Sequence, residues 1–229
     1  MSETFNVKKI AEIRNGFSEK FGIPRQSGLC DKVFSQIVFE EKYRVPEAFR
    51  GLEEFSHIWI VWQFSEAVRE DWSPTVRPPR LGGNKRVGVF STRSPFRPNP
   101  IGLSCVKLEE IVFDKTLGPI LIVSGADLMD KTPIYDIKPY IPYADSKPEA
   151  SGGFVDTTER IKLRVCFNNT NELSDKELYT ALEQILSEDP RPAYQNDPER
   201  IYKMAYDKYT VSFKVEDTLL TVTDIEENI

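Results

Sequence analysis

The chain has 229 residues, 40% of them hydrophobic and 29% charged, with a formal charge of −6, an ordinary composition for a folded, water-soluble protein. No apolar run approaches the roughly 18 residues of a membrane helix, and the first residues, MSETFNVKKI, lack the apolar core of a secretory signal, so a cytoplasmic chain is expected. Cys30, Cys105 and Cys166 are dispersed without CxxC spacing, which argues against a disulfide framework or structural zinc and predicts three buried small hydrophobes.

Phe5 to Arg14 alternates imperfectly and predicts a first strand with a slip or bulge. Residues 20–28 form a loop containing Pro24-Arg25-Gln26. Gln36 to Phe39 is a short strand. Phe55 to Phe64, FSHIWIVWQF, is aromatic and β-branched and reads as a buried central strand. Trp72 to Lys107 then contains Arg77, Arg80, Lys85, Arg86, Arg93, Arg97 and Lys107 and no acid. A purely basic segment in an acidic chain points to an anionic partner. Its prolines and glycines, in TVRPPRLGG and FSTRSPFRPNPIGLS, present the arginines from stiff loops.

Val87 to Phe90 is a short strand within that block. Leu103 to Phe113 and Ile120 to Gly125 are strands joined by a turn at Leu117-Gly118-Pro119. DLMDKTPIYDIKPYIPYAD, residues 127–145, is predicted as a loop because of Pro133, Pro139 and Pro142. Many strands with Gly/Pro turns and little helical periodicity predict an all-β barrel or sandwich to about residue 145.

Ser146 to Glu159 reads as a linker. Ile161 to Phe167 alternates like a strand. Ser174 with Glu177 forms a capping box, and Leu178, Leu182, Ile185 and Leu186 give a helical stripe that DPRPAY (189–194) ends. Tyr209 to Val215 and Leu219 to Val222 pair as a hairpin around Glu216-Asp217. The expected division is a barrel domain, 1–158, and a small α+β domain, 159–229.

GxGxxG and Walker loops are absent, and Leu81-Gly82-Gly83 has no βαβ unit around it. His57, the only histidine, lies within an apolar strand, where a hydrogen-bonded core role is commoner than a base. One histidine and no carboxylate cluster give no metal site. In Phe90 to Ser104, Pro95, Pro98 and Pro100 stiffen the chain and hold Asn99 extended, beside Ser91, Thr92, Ser94, Arg93 and Arg97. Two readings stand: a solvated proline-rich loop, or a preorganised wall for an anionic or polar ligand. Asp127, Asp130 and Asp136, near Lys138 and Tyr140, read either as turn caps or as a carboxylate that accepts ligand groups or a proton. Trp72 and Phe96 suit stacking on unpaired bases or core packing.

In IRNGFSEKFGIPRQ, RGLEEFSHIWIVWQF, RPPRLGGNKRVGVFSTRSPFRPNPIGLS, DLMDKTPIYDIKPYIPYAD and DPRPAY, the chain resembles the TrmO (TsaA-like, YaeB) family nearly end to end. The resemblance implies a mainly β fold, a single-sheeted β-barrel with a small α+β C-terminal domain, acting as a homodimer. It implies an S-adenosylmethionine-dependent tRNA methyltransferase that modifies the exocyclic amino nitrogen of threonylcarbamoyladenosine beside the anticodon of threonine tRNAs. The missing GxGxxG is then expected. Cofactor contacts are implied at Pro24, Arg25, Gln26, His57, Ile58, Arg93, Leu103, Asp130, Lys131, Thr132 and Pro133. Lys131 stands where family members often have glycine, so a positive φ there would strain it.

Methyl transfer needs alignment of sulfur, methyl and nitrogen, and a base for the departing proton. Asp136 is the first candidate base or acceptor, with Tyr140 and Asn99 positioning. Arg77, Arg80, Lys85, Arg86 and Arg97 are the expected RNA contacts, Arg97 for the threonyl carboxylate. The C-terminal domain is expected to add tRNA contacts, and no metal or membrane partner is expected. A non-catalytic RNA-binding or regulatory barrel, and a small-molecule methyltransferase, are the competing readings.

Overall fold

The structure is a computed structural model and describes residues 4–228 apart from 84, 159, 169–174, 193, 194 and 196, with Arg80 described in its backbone alone. Strands β1 (Ala11–Arg14), β2 (Phe34–Phe39) and β3 (His57–Gln63) come first. A short pair, β4 (Thr75–Val76) and β5 (Val87–Gly88), lies inside the basic block, and β6 (Ile101–Asp114), β7 (Gly118–Ser124) and β8 (Pro133–Pro139) follow. Six of these close into an antiparallel barrel in the order β1-β2-β7-β6-β3-β8, with Ile134 of β8 returning to Ala11 of β1.

Period-two alternation decides which side chains fill the barrel. On β3, Ile58, Ile60 and Trp62 are buried while His57, Trp59, Val61 and Gln63 face outward and are half-buried. Ile13, Ile37, Val106, Leu121, Val123 and Ile134 complete the interior. Trp62 lies opposite Gly102, and a Cβ there would overlap its indole ring. Glycine at 102 is what lets the indole lie flat against β6.

The predicted loop at 127–145 is corrected: its middle is β8, the strand that closes the barrel. Val61 pairs with Asp136 and Trp62 with Ile134, so Tyr135 is an extra residue in a β-bulge. The bulge shifts the alternation, and the prolines sit at the strand's two ends, where a missing N–H is tolerated. The first strand is also shorter than predicted. Phe5 and Val7 are exposed, and only Ile10 extends the pairing, through its N–H to Ile134 O at 2.8 Å. The strand expected at 87–90 stops at Gly88 and turns into a single 3-10 turn, Val89–Ser91.

After the four-residue helix α1 (Pro142–Asp145), the chain reaches β9 (Arg164–Phe167), helix α2 (Lys176–Ser187), β10 (Tyr202–Tyr206), β11 (Tyr209–Glu216) and β12 (Leu219–Glu227). The sheet order is β10-β11-β12-β9, with β9 parallel to β12 at the edge, where Cys166 is exposed against the expectation of burial. β10 was not foreseen; its Tyr202, Met204 and Tyr206 are buried in alternation. The predicted cap Ser174 lies outside the described residues. Asp175 caps α2, accepting from the amides of Glu177 and Leu178 at 3.0 and 3.1 Å.

The second core is not confined to the C-terminal residues. Phe17, Cys30 and Val33, from the segment between β1 and β2, are buried among Leu182, Ile185, Met204 and Phe213. That segment therefore ties the barrel to the C-terminal sheet. Gly102→Ala tests the barrel packing: the added methyl displaces Trp62 and lowers unfolding free energy by about 1–3 kcal/mol in urea titrations, whereas an unchanged midpoint would show that the indole has room.

Candidate active site

The β6–β7 register sets Lys107 opposite Ser124, and continuing it past the last ladder pair brings Asp127 beside Ser104. The Ser104 hydroxyl donates to Asp127 Oδ1 at 2.5 Å and accepts from Trp62 Nε1 at 2.9 Å. Ser104 is fully buried, and Asp127 is half-buried beside it. Burial pushes the Asp127 carboxyl up, against the opposing pull of Ser104, its own amide, the Arg93 charge and the Ser27 amide. Sequence reading set Asp127 among three candidate aspartates and preferred another. Its partner Ser104 lies 23 residues away in the chain, and the Trp62 that holds Ser104 a further 42, which no local pattern reveals.

The same region gathers part of the expected cofactor set. Arg93 Nη1 donates to Gln26 Oε1 at 2.5 Å. Gln26 Nε2 donates to Arg25 O at 2.5 Å, and Arg25 Nη2 donates to the carbonyls of Asp189 and Arg191 at 3.2 and 2.9 Å. Gly28 N–H donates to Gly125 O at 2.8 Å, two residues before Asp127. The segment 24–28 thus touches the barrel, the basic block and the C-terminal domain at once. The loop carrying Arg93 is held by its own hydroxyls: Thr92 Oγ1 donates to Val89 O at 2.8 Å and accepts from Ser94 N at 3.2 Å, and Ser94 Oγ accepts from Phe96 N at 3.3 Å. These hydroxyls stiffen the wall, and the Thr92 proton is already given to Val89 O.

Asp130 to Pro133 sit where β8 meets β1. Asp130 Oδ1 accepts from Asn15 N at 3.1 Å, Lys131 N–H donates to Ile13 O at 2.8 Å, and Thr132 is buried. Lys131 has φ 62°, the left-handed region in which a β-carbon is strained.

His57, Ile58 and Leu103 lie elsewhere. Ile58 is a fully buried barrel residue, and His57 Nδ1 pairs with Ser56 Oγ at 2.9 Å near the opposite end of β3 from Trp62. Leu103 faces outward, 56% exposed, paired across the sheet with Val61, which pairs with Asp136. Asp136 Oδ2 meets Lys138 Nζ at 2.8 Å, with its side chain 47% exposed. Tyr140 packs its ring 6.2 Å from His57 and 5.9 Å from Trp59. Asn99 is exposed, and its carbonyl accepts from Ile101 N at 2.7 Å. Among the described residues, no side-chain hydrogen bond joins this outer group to the Gln26–Arg93 pair.

Of the expected RNA contacts, Arg77, Lys85 and Arg86 are exposed, Arg97 is half-buried, and the Arg80 side chain lies outside the described residues. Arg86 Nη1 donates to Thr75 Oγ1 at 3.2 Å, fastening the β4–β5 hairpin. Trp72 and Phe90 form an exposed ring pair with centroids 6.1 Å apart, and Arg69 covers Phe96 at 4.0 Å. Among the described residues there is no group of three or more potential metal ligands and no helix long and apolar enough to cross a membrane.

Comparison with known proteins gives a consistent set of likenesses. The family model for the tRNA-methyltransferase O N-terminal domain matches residues 12–146, and that for the TrmO C-terminal domain matches 162–228. The tRNA (adenine(37)-N6)-methyltransferase of Escherichia coli K12 is 40% identical over 97% of this chain and 98% of its own length. A Pseudomonas aeruginosa protein, provisionally named an S-adenosylmethionine-dependent methyltransferase, is 39% identical over 87% of each chain. The crystal structure of TrmO from the same species superposes with a TM-score of 0.81 at 32% identity, covering 100% of this chain and 99% of that one.

Folding raises the Asp127 pKa, so the fold disfavours its ionised form. That penalty is present above the ordinary carboxylate range and is lost as pH falls below it. Asp127→Asn therefore raises the melting temperature at pH 8, by about 2–4 °C per kcal/mol recovered, and the gain shrinks towards pH 4. A variant that melts lower than the parent at pH 8 would show that the carboxylate stabilises the fold.

Proposed function

The chain belongs to the tRNA-methyltransferase O family, and we propose that it transfers a methyl group from S-adenosylmethionine to the exocyclic amino nitrogen of threonylcarbamoyladenosine beside the anticodon of threonine-accepting tRNA. The observation that carries this reading is the completeness of the match. Both family models fall in order on one chain, and 97% of it aligns with 98% of the E. coli tRNA (adenine(37)-N6)-methyltransferase. We take residues 1–158 as the catalytic barrel and 159–229 as a tRNA-binding accessory, acting in the cytoplasm.

The side chains expected at the cofactor fit S-adenosylmethionine in their chemistry. Carboxylates such as Asp127 and Asp130 suit its cationic groups and ribose hydroxyls, and an arginine such as Arg93 suits its carboxylate. Pro24, Arg25, Gln26, Arg93 and Asp130 to Pro133 would hold it from one side. His57, Ile58 and Leu103 would act from a second copy in a homodimer; the exposed apolar strip of Ile101 and Leu103 on β6 supports such a contact. When bound, S-adenosylmethionine supplies an electrophilic methyl on a sulfonium.

The acceptor nitrogen is conjugated with the purine and with a carbamoyl group, so its proton needs an acceptor as the bond forms. Asp136 is assigned that role, with Tyr140 and Asn99 positioning the base. Asp127 is the second candidate because of its place beside Arg93. Arg97 is assigned to the threonyl carboxylate, and Arg77, Arg80, Lys85 and Arg86 to phosphates.

Incubation with methyl-labelled S-adenosylmethionine labels tRNA from cells that carry the threonylcarbamoyl modification and not tRNA from cells that lack it. Equal labelling of both pools overturns the substrate. In that assay Asp136→Asn lowers turnover at saturating cofactor and tRNA by about 10² or more; near-normal turnover would move the proton-accepting role to Asp127.

A further inference from the structure

A cavity of about 680 Å³ opens where three distant stretches meet: residues 20–25, the 77–83 part of the basic block, and 185–192 of the C-terminal domain. They include IPR, RPPRLGG and DPRP, pieces of three motifs on which the family resemblance rests. Phe21, Ile23, Pro79, Ile185, Pro190 and Pro192 give the cavity a mostly apolar lining.

Its two acids are already paired. Glu188 holds Arg160 at 2.5 Å and Lys162 at 3.1 Å, and Asp189 takes Arg191 through two contacts of 2.9 Å. Its exposed cations are not neutralised. Lys20 donates to Glu66 O at 3.2 Å and Arg25 donates to the carbonyls of Asp189 and Arg191, all neutral acceptors. Arg77 has no hydrogen bond or ion pair among the described residues. An apolar cleft with three uncompensated cations fits a base and its phosphates, and the volume is within the roughly 300–1,000 Å³ of small-ligand sites. Arg25 directly precedes Gln26, so an occupant would lie next to the Gln26–Arg93 pair.

We propose that this interdomain cleft seats an unpaired nucleotide of the RNA substrate next to the nucleotide that is methylated, its base on the proline and phenylalanine walls and its phosphates on Lys20 and Arg77. The proposal rests on the tRNA-methyltransferase reading. It makes residues 188–192 part of the substrate site itself and not a remote tether.

The test measures equilibrium tRNA binding, S-adenosylmethionine binding by calorimetry, and methyl transfer for the full-length chain. The variants are Lys20→Glu, Arg77→Glu and Pro192→Glu, with Lys115→Glu in the exposed β6–β7 turn as a control for bulk charge. Each cleft variant is expected to weaken tRNA binding at least about five-fold, with cofactor affinity within about two-fold of the parent, while Lys115→Glu binds tRNA like the parent. Weakened cofactor binding with tRNA affinity retained assigns the cleft to the cofactor and overturns the proposal. Unchanged tRNA binding, or an equal loss in Lys115→Glu, also overturns it. If the cleft variants lose tRNA binding but the parent transfers no methyl, the cleft stands and the methyltransferase reading fails. If the parent transfers methyl and the cleft variants bind normally, the reverse holds.

Discussion

Asp127 carries a charge to the edge of a closed barrel, and the residues around it are arranged to meet the cost of burying it. Gly102 leaves room for the Trp62 indole, the indole N–H holds the Ser104 hydroxyl, and that hydroxyl turns its proton to the carboxylate. On the other side stand the Ser27 amide and the Arg93 charge. Even so, burial outweighs these partners and the carboxyl is pushed up. A carboxylate that a fold keeps at a net cost is a functional candidate on physical grounds.

The surroundings of this carboxylate join parts of the molecule that are far apart in sequence. Segment 16–33 contributes Phe17, Cys30 and Val33 to the C-terminal core and Gln26 to the pair with Arg93. One excursion between two barrel strands therefore fixes the second domain and the candidate cofactor wall together. The basic block supplies Arg93 at one place and Arg77 at another, so the charge anomaly of the sequence becomes two features around one segment.

Much of this was legible in the sequence where a period governs. β3 and the apolar stripe of α2 are written in alternation and in helical spacing, and both emerge as predicted. β8 was not legible because the bulge at Tyr135 breaks the alternation between Ile134 and Ile137 and prolines flank the strand. β10 escaped because a five-residue run carries too little pattern to separate it from loop. The cofactor residues came from resemblance, since nothing in the spacing of Gln26 and Arg93 announces that they touch. The Asp127 chain was unreadable for the same reason: the closed barrel, and not local sequence, brings Trp62, Ser104 and Asp127 into line.

The most direct measurement is a double-mutant cycle of Gln26→Ala and Arg93→Ala, read by calorimetric titration of S-adenosylmethionine. If the pair forms the cofactor wall as one unit, each single change weakens binding, and the double change loses less than the sum, with a coupling of about 1 kcal/mol or more. Unchanged affinity in Arg93→Ala, or losses that add to within about 0.3 kcal/mol, would contradict it.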